Sequence, residues 1–141
     1  MTKNRKYLLD TNMLIEFNAE TPSVVNHVLA VGAENCCMSV ISLHELYYGA
    51  YYAKTVKEVY FEEEMKMINK LLEKFTIVPL PNNADGYAKI KNTLREKGML
   101  VDEFDMVIAG QGISEGLTIV TDNIKHFKRI SGLKVENWMD R

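Results

Sequence analysis

Three acidic residues, far apart in the chain, each lie within an apolar segment. Asp10 directly follows a short apolar run, Glu45 precedes Leu46, and Asp105 is followed by Met-Val-Ile-Ala. A carboxylate at the edge of a buried element is costly unless something compensates its charge. Three such residues at the edges of core elements therefore suggest one shared cation site and metal-dependent chemistry.

Carboxylate oxygens are the ligands that Mg²⁺ and Mn²⁺ prefer. Hydrolysis of a phosphodiester needs an activated water and a stabilised leaving oxygen, and two ions roughly 3.5–4 Å apart can provide both without a protein nucleophile. We expect Asp10 and Asp105 to be the principal ligands, and Glu45 to help bind the metal and orient the attacking water. Asp122 or Asn123 would complete the second position.

Simpler structural roles exist for some of these residues. Asp10 could cap a helix, and Glu45 has the spacing of a capping-box partner for Ser42. Asp102 is expected to cap a helix rather than to bind metal. Asp105 lies well inside the predicted helix, where an unpaired carboxylate should be exposed. Because separate roles would require several coincidences, we favour a shared site.

Short apolar runs alternate with helical patterns along the chain, which predicts an α/β fold with a parallel sheet covered on both faces. The predicted strands are residues 6–9, 37–41, 76–78, 117–120 and 133–135. Two helices are predicted to follow the N-caps Thr11 or Asn12 and Ser42, and a third begins at Pro22. The remaining predicted helices are 56–75, Asn83 or Asp85 to Lys97 closed by Gly98, and 102–115 closed by Gly116. Sites in such sheets form beyond the carboxyl ends of strands, where these acidic residues can converge.

Composition limits the function classes. The 141 residues fit one domain, 1–141, and the net charge of −2 argues against a protein that simply coats nucleic acid, although not against a nuclease. The adjacent Cys36 and Cys37 are expected to be reduced and packed as small apolar residues, which suits a cytoplasmic protein. The basic segment 1–6 precedes too short an apolar run for a signal peptide, and no run is long enough to cross a membrane.

The motifs, taken in order, resemble those of the PIN-domain ribonucleases, specifically the VapC-type toxins of toxin–antitoxin pairs. The resemblance covers essentially the whole chain. It is carried by Leu8-Leu9-Asp10-Thr11-Asn12, Ser39-x-x-Ser42-x-x-Glu45-Leu46-x-x-Gly49, Phe104-Asp105-x-x-Ile108-Ala109, Leu117-x-Ile119-Val120-Thr121-x-Asn123-x-x-x-Phe127 and Gly132-Leu133-x-Val135-x-x-Trp138.

The resemblance implies a PIN-like three-layer α/β/α fold with a short central parallel sheet. It matches Asp10, Glu45 and Asp105 to the family's metal-site carboxylates, and Asn123 to a fourth position where some members carry Asp and others Asn. Asp122 is adjacent and could stand in for it. The implied activity is an endoribonuclease that uses Mg²⁺ or Mn²⁺, cleaves structured RNA such as tRNA, and leaves 5′-phosphate and 3′-hydroxyl ends.

The resemblance also implies a homodimer neutralised by a cognate antitoxin protein. The broad apolar face of residues 56–75 is interpreted as part core and part partner surface. Two basic clusters are candidates for RNA contact, of which the first is favoured: Lys125, His126, Lys128 and Arg129, then Lys89, Lys91, Arg95 and Lys97. As possible metal ligands, His27 and His126 are interpreted as structural or solvated, and His44 as a surface residue. The four tyrosines between 47 and 52 are expected to pack or to form a protein interface.

Four other functions remain open from the residues. A Rossmann-like phosphoryl-transfer enzyme could use Asp10 as nucleophile, but Asn12 replaces the second Asp that the haloacid-dehalogenase pattern needs. A receiver-like signalling domain leaves Glu45 unexplained. A PIN fold that binds RNA without cutting it is disfavoured by three intact carboxylates. A PIN nuclease for RNA maturation is distinguished from a toxin by a neighbouring antitoxin gene.

Overall fold

The structure is a computed structural model that describes residues 5–140; the segment 1–4, considered above for a signal peptide, and Arg141 lie outside the described residues. The strands are β1 (Tyr7–Leu9), β2 (Cys36–Ser39), β3 (Thr76–Val78), β4 (Thr118–Val120) and β5 (Lys134–Glu136). The helices are α1 (Thr11–Asn18), α2 (Pro22–Val31), α3 (Val40–Val56), α4 (Glu58–Lys74), α5 (Asp85–Glu96), α6 (Glu103–Glu115) and α7 (Ile124–Phe127), with a 3₁₀ turn at Ala33–Asn35.

The five strands form one parallel sheet in the order β3-β2-β1-β4-β5. Strand β1 is central, and Leu8 pairs with Cys37 of β2 on one side and Ile119 of β4 on the other. The chain moves outward from β1 to β3 and then returns to β4, so the order reverses beside β1. In parallel α/β sheets, the crevice at such a reversal is where ligands bind.

Alternating strand residues enter two separate cores. Leu9, Met38 and Val120 pack with α1 to α4 on one face of the sheet. On the other face, Leu8 and Ile119 pack with α5, α6 and α7. Burial of each leucine stabilises the fold by roughly 1.5–3 kcal/mol. A shift of one residue would move every strand side chain to the other face, so this alternation fixes the register of the strands. The predicted three-layer α/β/α architecture with a short parallel sheet is confirmed.

The N-cap residues predicted for two helices are wrong. Strand β2 ends at Ser39, whose hydroxyl caps α3 by accepting the Ile41 N–H at 2.9 Å. Ser42 is therefore an internal, buried helix residue, and Glu45 is not its capping-box partner. Similarly, α1 is capped by Asp10, not by Thr11 or Asn12. Both corrections place the capping side chain directly at the end of a strand.

The helix predicted at residues 56–75 begins at Glu58 rather than at Val56. Helix α3 runs through Val56, and the extended backbone of Lys57 separates it from α4, so the two helices form an antiparallel hairpin. The four-residue helix α7 was not predicted, whereas the αL conformation of Gly116 at the end of α6 is confirmed.

Helices α5 and α6 pack closely where Gly86 of α5 meets Gly110 of α6. A Cβ on Gly110 would lie 3.0 Å from the backbone nitrogen of Tyr87, so a larger residue would push the two helices apart. The close crossing brings the first turn of α6 beside α5, where Lys91 pairs with Glu103 at 3.0 Å.

Both cysteines are free and buried, as predicted, and burial raises the pKa of each thiol to about 12. Within residues 5–140, none of the helices has the length and hydropathy to span a membrane.

Candidate active site

Asp10 lies at the junction of the two central strands. Its backbone N–H donates to the Val120 carbonyl at 2.9 Å, which continues the pairing of β1 with β4. The buried carboxylate accepts the Thr11 N–H through Oδ1 and the Thr121 hydroxyl through Oδ2, both at 2.9 Å. Thr121, the first residue after β4, is itself fully buried. These contacts hold Asp10 in one orientation at the carboxyl end of the sheet.

Glu45 reaches the same end of the sheet from α3. The Thr11 hydroxyl donates to Glu45 Oε1 at 2.6 Å and lies 2.9 Å from Ser42 Oγ. Thr11 begins α1, directly after Asp10, so one hydroxyl connects the first turns of α1 and α3 beside the Asp10 carboxylate. Thr11 and Thr121 thus each donate a hydrogen bond to a candidate carboxylate.

Asp105 comes from the first turn of α6 and lies beside the segment that follows β4. Its Oδ2 is 3.5 Å from Nδ1 of His126, and the same ring nitrogen is 2.8 Å from Nδ2 of Asn123. These contacts agree with the interpretation of His126 as a structural residue, and they place its ring beside a candidate metal ligand. Because His126 follows Asn123 by three residues at the short helix α7, the His126 ring lies over Asn123 and against Asp105.

The two candidates for the fourth position have different surroundings. Asn123 shares the His126 ring with Asp105, and its N–H donates to the Thr121 hydroxyl at 2.9 Å. Asp122 accepts a hydrogen bond from the Asn137 amide at 3.0 Å, and its N–H donates to Asn12 Oδ1 at 3.2 Å. Each of the two is therefore connected to a site carboxylate through one side chain, Asn123 to Asp105 through His126 and Asp122 to Asp10 through Asn12.

The electrostatics of the three carboxyl groups are coupled. Burial raises the pKa of Asp10, Glu45 and Asp105, in the last case to about 6. The negative charge of Asp10 raises the pKa of Glu45 and Asp105 further, while hydrogen bonds from Thr121 and Thr11 oppose the rise at Asp10 and Glu45. Each carboxyl group therefore carries a cost for being ionised in the folded protein.

The carboxylate oxygens of Asp10, Glu45 and Asp105 are the type of ligand that a hard divalent cation prefers. Within residues 5–140, no lysine or arginine forms an ion pair with Asp10, Glu45 or Asp105, and His126 is the one basic partner of the three. Buried carboxylates without compensating charge are the setting in which Mg²⁺ or Mn²⁺ is favoured. As the described side chains stand, no three acidic, histidine or cysteine groups converge on one point. An ion would compete with Thr11 and His126 for Glu45 and Asp105.

Two residues near the site have roles that the sequence reasoning missed. Asp102 caps α6 as predicted, accepting the Phe104 N–H at 3.1 Å, but its charge also raises the pKa of all three site carboxyl groups. Its spacing of three from Asp105 was the available signal. Gln111 is buried, and its amide donates to the Val78 and Pro79 carbonyls at 3.0 Å while its Oε1 accepts the Ser39 hydroxyl.

Gln111 therefore ties the helix that carries Asp105 to the cap of the helix that carries Glu45. Ser39 and Gln111 are 72 residues apart, so no local pattern could reveal the contact. Among the other candidates, the four tyrosines between 47 and 52 are exposed on α3, which leaves the interface role as a prediction. His44 is exposed as expected, and His27 stacks on Trp138 with ring centroids 5.2 Å apart.

The fold and the site define an α/β domain with a parallel sheet and acidic residues at its carboxyl edge. The chain belongs to the PIN domain family, which matches residues 7–133. It is 36% identical over 135 residues to ribonuclease VapC2 of Haemophilus influenzae, a match that covers 95% of this chain and 98% of the relative. It is 30% identical over 134 residues to the tRNA(fMet)-specific endonuclease VapC of Salmonella typhimurium, covering 94% and 98% of the two chains.

Solved structures agree with the fold. The chain is similar to a chain of the DNA-bound VapBC complex of Salmonella typhimurium, with a TM-score of 0.83, 30% identity, and coverage of 95% of this chain and 98% of that one. The family expected from the motifs is thereby confirmed.

Proposed function

We propose that this protein is a metal-dependent endoribonuclease of the VapC toxin type, formed by a single PIN domain spanning residues 1–141. Its active site is the carboxylate cleft at the carboxyl end of the sheet. The observation that carries the proposal is the group of Asp10, Glu45 and Asp105, which carries little compensating charge within the described residues, in a chain that is similar to ribonucleases over 95% of its length.

In this proposal Asp10 and Asp105 hold the ion, Glu45 assists, and Asn123 completes a second position. Mg²⁺ or Mn²⁺, when bound, supplies positive charge for the phosphate oxygens and lowers the pKa of the attacking water. The Thr121 hydroxyl and the Thr11 N–H keep the Asp10 carboxylate in one orientation.

Glu45 is the candidate proton acceptor. The Thr11 hydroxyl orients its carboxylate, and burial raises its pKa toward the range in which a carboxylate can take a proton from water. Asp122 would act through position: its N–H donates to Asn12, whose side chain lies 3.5 Å from Asp10 Oδ2. Attack by water on the phosphodiester leaves a 5′-phosphate and a 3′-hydroxyl.

The proposed substrate is structured RNA, with tRNA as the first choice because one relative is a tRNA(fMet)-specific endonuclease. The proposed partners are a second copy of the chain and a cognate antitoxin, since the similar solved structures include VapBC complexes. The exposed apolar side chains of the α3–α4 hairpin, among them Val59 and Tyr60, are the proposed antitoxin surface. Free, buried thiols suit the proposed cytoplasmic location.

The test is RNA cleavage by the purified protein. Total RNA and isolated tRNA are incubated with Mg²⁺, with Mn²⁺ and with chelator, and the wild type is compared with Asp10→Asn, Glu45→Gln and Asp105→Asn. We expect discrete, metal-dependent fragments whose rate falls by about 10²–10⁴-fold in each variant. Glu103→Gln is the matched control, because this exposed carboxylate pairs with Lys91 near the site. Cleavage by Asp10→Asn at the wild-type rate would remove Asp10 from the mechanism.

A further inference from the structure

A cavity of about 220 Å³ lies between α5 and the segment that follows α7. Its floor is apolar and includes Ile90, Leu94 and Ile130, which belong to the core. Its polar lining is basic: Lys89 and Lys97 come from α5 and Arg129 from the opposite side, and the lining contains no acidic residue. The sequence separated these residues into two clusters, whereas the fold places them around one opening.

The basic side chains line the cavity from two sides. Lys89 and Lys97 are eight residues apart on α5, so they lie on the same face of the helix, with Thr93 between them. The Arg129 guanidinium donates to the Met99 and Leu100 carbonyls at 3.2 and 3.4 Å, which fixes it across from α5.

The rim also carries uncompensated charge. Within the part of the chain that the structure describes, Lys89, Lys97 and Arg129 form no ion pair with a carboxylate, whereas neighbouring Lys91 is paired with Glu103. In a protein of net charge −2, such a cluster is a local exception. Clustered, unpaired basic side chains on one face are typical of a surface that binds phosphates.

The cavity adjoins the candidate active site. Arg129 follows His126 by three residues, and the His126 ring lies 3.5 Å from Asp105. On the other side, Lys97 precedes the loop that ends at Asp102, the cap of α6. The basic rim therefore begins beside the carboxylate cleft and extends along α5 for about 12 Å between Lys89 and Lys97, at 1.5 Å per residue.

We propose that Lys89, Lys97 and Arg129 bind the phosphate backbone of the RNA substrate next to the cleaved bond. This inference rests on the proposed ribonuclease function. The cavity is smaller than the roughly 300–1,000 Å³ of pockets that enclose a small molecule, so it suits a chain lying across it.

The experiment measures binding of labelled, unfractionated tRNA as a function of salt. Asp105→Asn serves as the background, so that RNA binds without being cut. Lys89→Gln/Lys97→Gln in that background is compared with Lys66→Gln/Lys74→Gln, which removes two exposed lysines with the same spacing from α4 on the other face of the sheet. Thermal melts verify that both double variants fold.

We expect the cavity variant to bind tRNA more weakly, and the slope of log K against log salt to fall by about one for each lysine removed. Arg129→Gln should lower the slope by about one more. The α4 control should retain the slope of its background.

Equal slopes for the cavity and control variants would overturn the inference. A cavity variant that binds tRNA as before but no longer binds polyglutamate, a polyanion without phosphate, would also overturn it. Cleavage by the protein that retains Asp105 is measured in parallel. If it cuts RNA and the slopes are equal, only the cavity inference fails; if it cuts no RNA under any condition, the proposed function fails.

Discussion

Asp105→Asn should stabilise the metal-free protein at neutral pH, although it removes a candidate metal ligand. Burial and the charges of Asp10 and Asp102 raise the pKa of Asp105 from 3.8 to about 6. Between these two values the folded protein binds more protons than the unfolded chain, so stability falls as pH rises through this window. Asparagine has no charge to bury, so the variant should escape this loss.

The size of the effect follows from the shift. A rise from 3.8 to about 6 corresponds to about 3 kcal/mol at 1.36 kcal/mol per pKa unit. The side chain is 14% exposed and His126 lies within 3.5 Å, so screening and partial pairing reduce the expected gain to about 1–2 kcal/mol. For a chain of this size, that gain raises the melting temperature by about 2–8 °C.

Urea unfolding in the presence of chelator measures this gain at several values between about pH 4 and pH 7. The variant and the wild type should be similar at the acidic end and diverge as pH rises. Glu103→Gln is the matched control with the opposite sign, because hydrogen bonds from Tyr87 and Lys91 lower the pKa of Glu103. An Asp105→Asn variant that is no more stable than the wild type at neutral pH would refute the reasoning. So would a gain of equal size at acidic pH.

Excess Mg²⁺ or Mn²⁺ should make the wild type more stable than Asp105→Asn. A ligand that binds only the folded state stabilises it by about 2.7 kcal/mol at a hundred times its dissociation constant. The wild type should gain this stabilisation, and Asp105→Asn should gain less. An identical metal response in both proteins would show that Asp105 is not involved in binding the ion.

Three further predictions test the scaffold of the site. Gln111→Leu should lower the free energy of unfolding by about 2–4 kcal/mol, measured with urea, because it leaves two carbonyls and a hydroxyl without their partner. Gly110→Ala should destabilise by about 1–3 kcal/mol because its Cβ would meet α5, whereas Gly49→Ala meets nothing within 4 Å and should stabilise by up to about 1 kcal/mol. Thr121→Val should raise the pKa of Asp10 further and weaken Mn²⁺ binding most at acidic pH in calorimetric titrations, while Thr121→Ser should retain the wild-type profile.

Local patterns were sufficient to predict the order of strands and helices. Buried strands required short apolar runs, and Gly116 and Asp102 mark helix ends through their own backbone and side-chain chemistry. The start of α3 was misplaced because Ser39-Val40-Ile41 reads equally well as the end of a strand. Two serines three residues apart offered the same capping signal, and only the end of the sheet decided between them.

The contacts between distant segments could not be predicted. The Ser39–Gln111 bond, the approach of His126 to Asp105, and the meeting of Arg129 with Lys89 and Lys97 depend on how α6 and α7 pack on the sheet. The motifs placed Asp10 at a strand end and Glu45 and Asp105 on helices that could pack near it, but only packing determines what surrounds these carboxylates.

Binding of Mn²⁺ to the intact protein, measured by electron paramagnetic resonance, tests most directly whether Asp10, Glu45 and Asp105 form one cation site. We predict saturable binding that each of Asp10→Asn, Glu45→Gln and Asp105→Asn weakens, while Glu103→Gln binds as the wild type does. Unchanged binding in all three variants, or no binding by a folded wild-type protein, would contradict the assignment of the site.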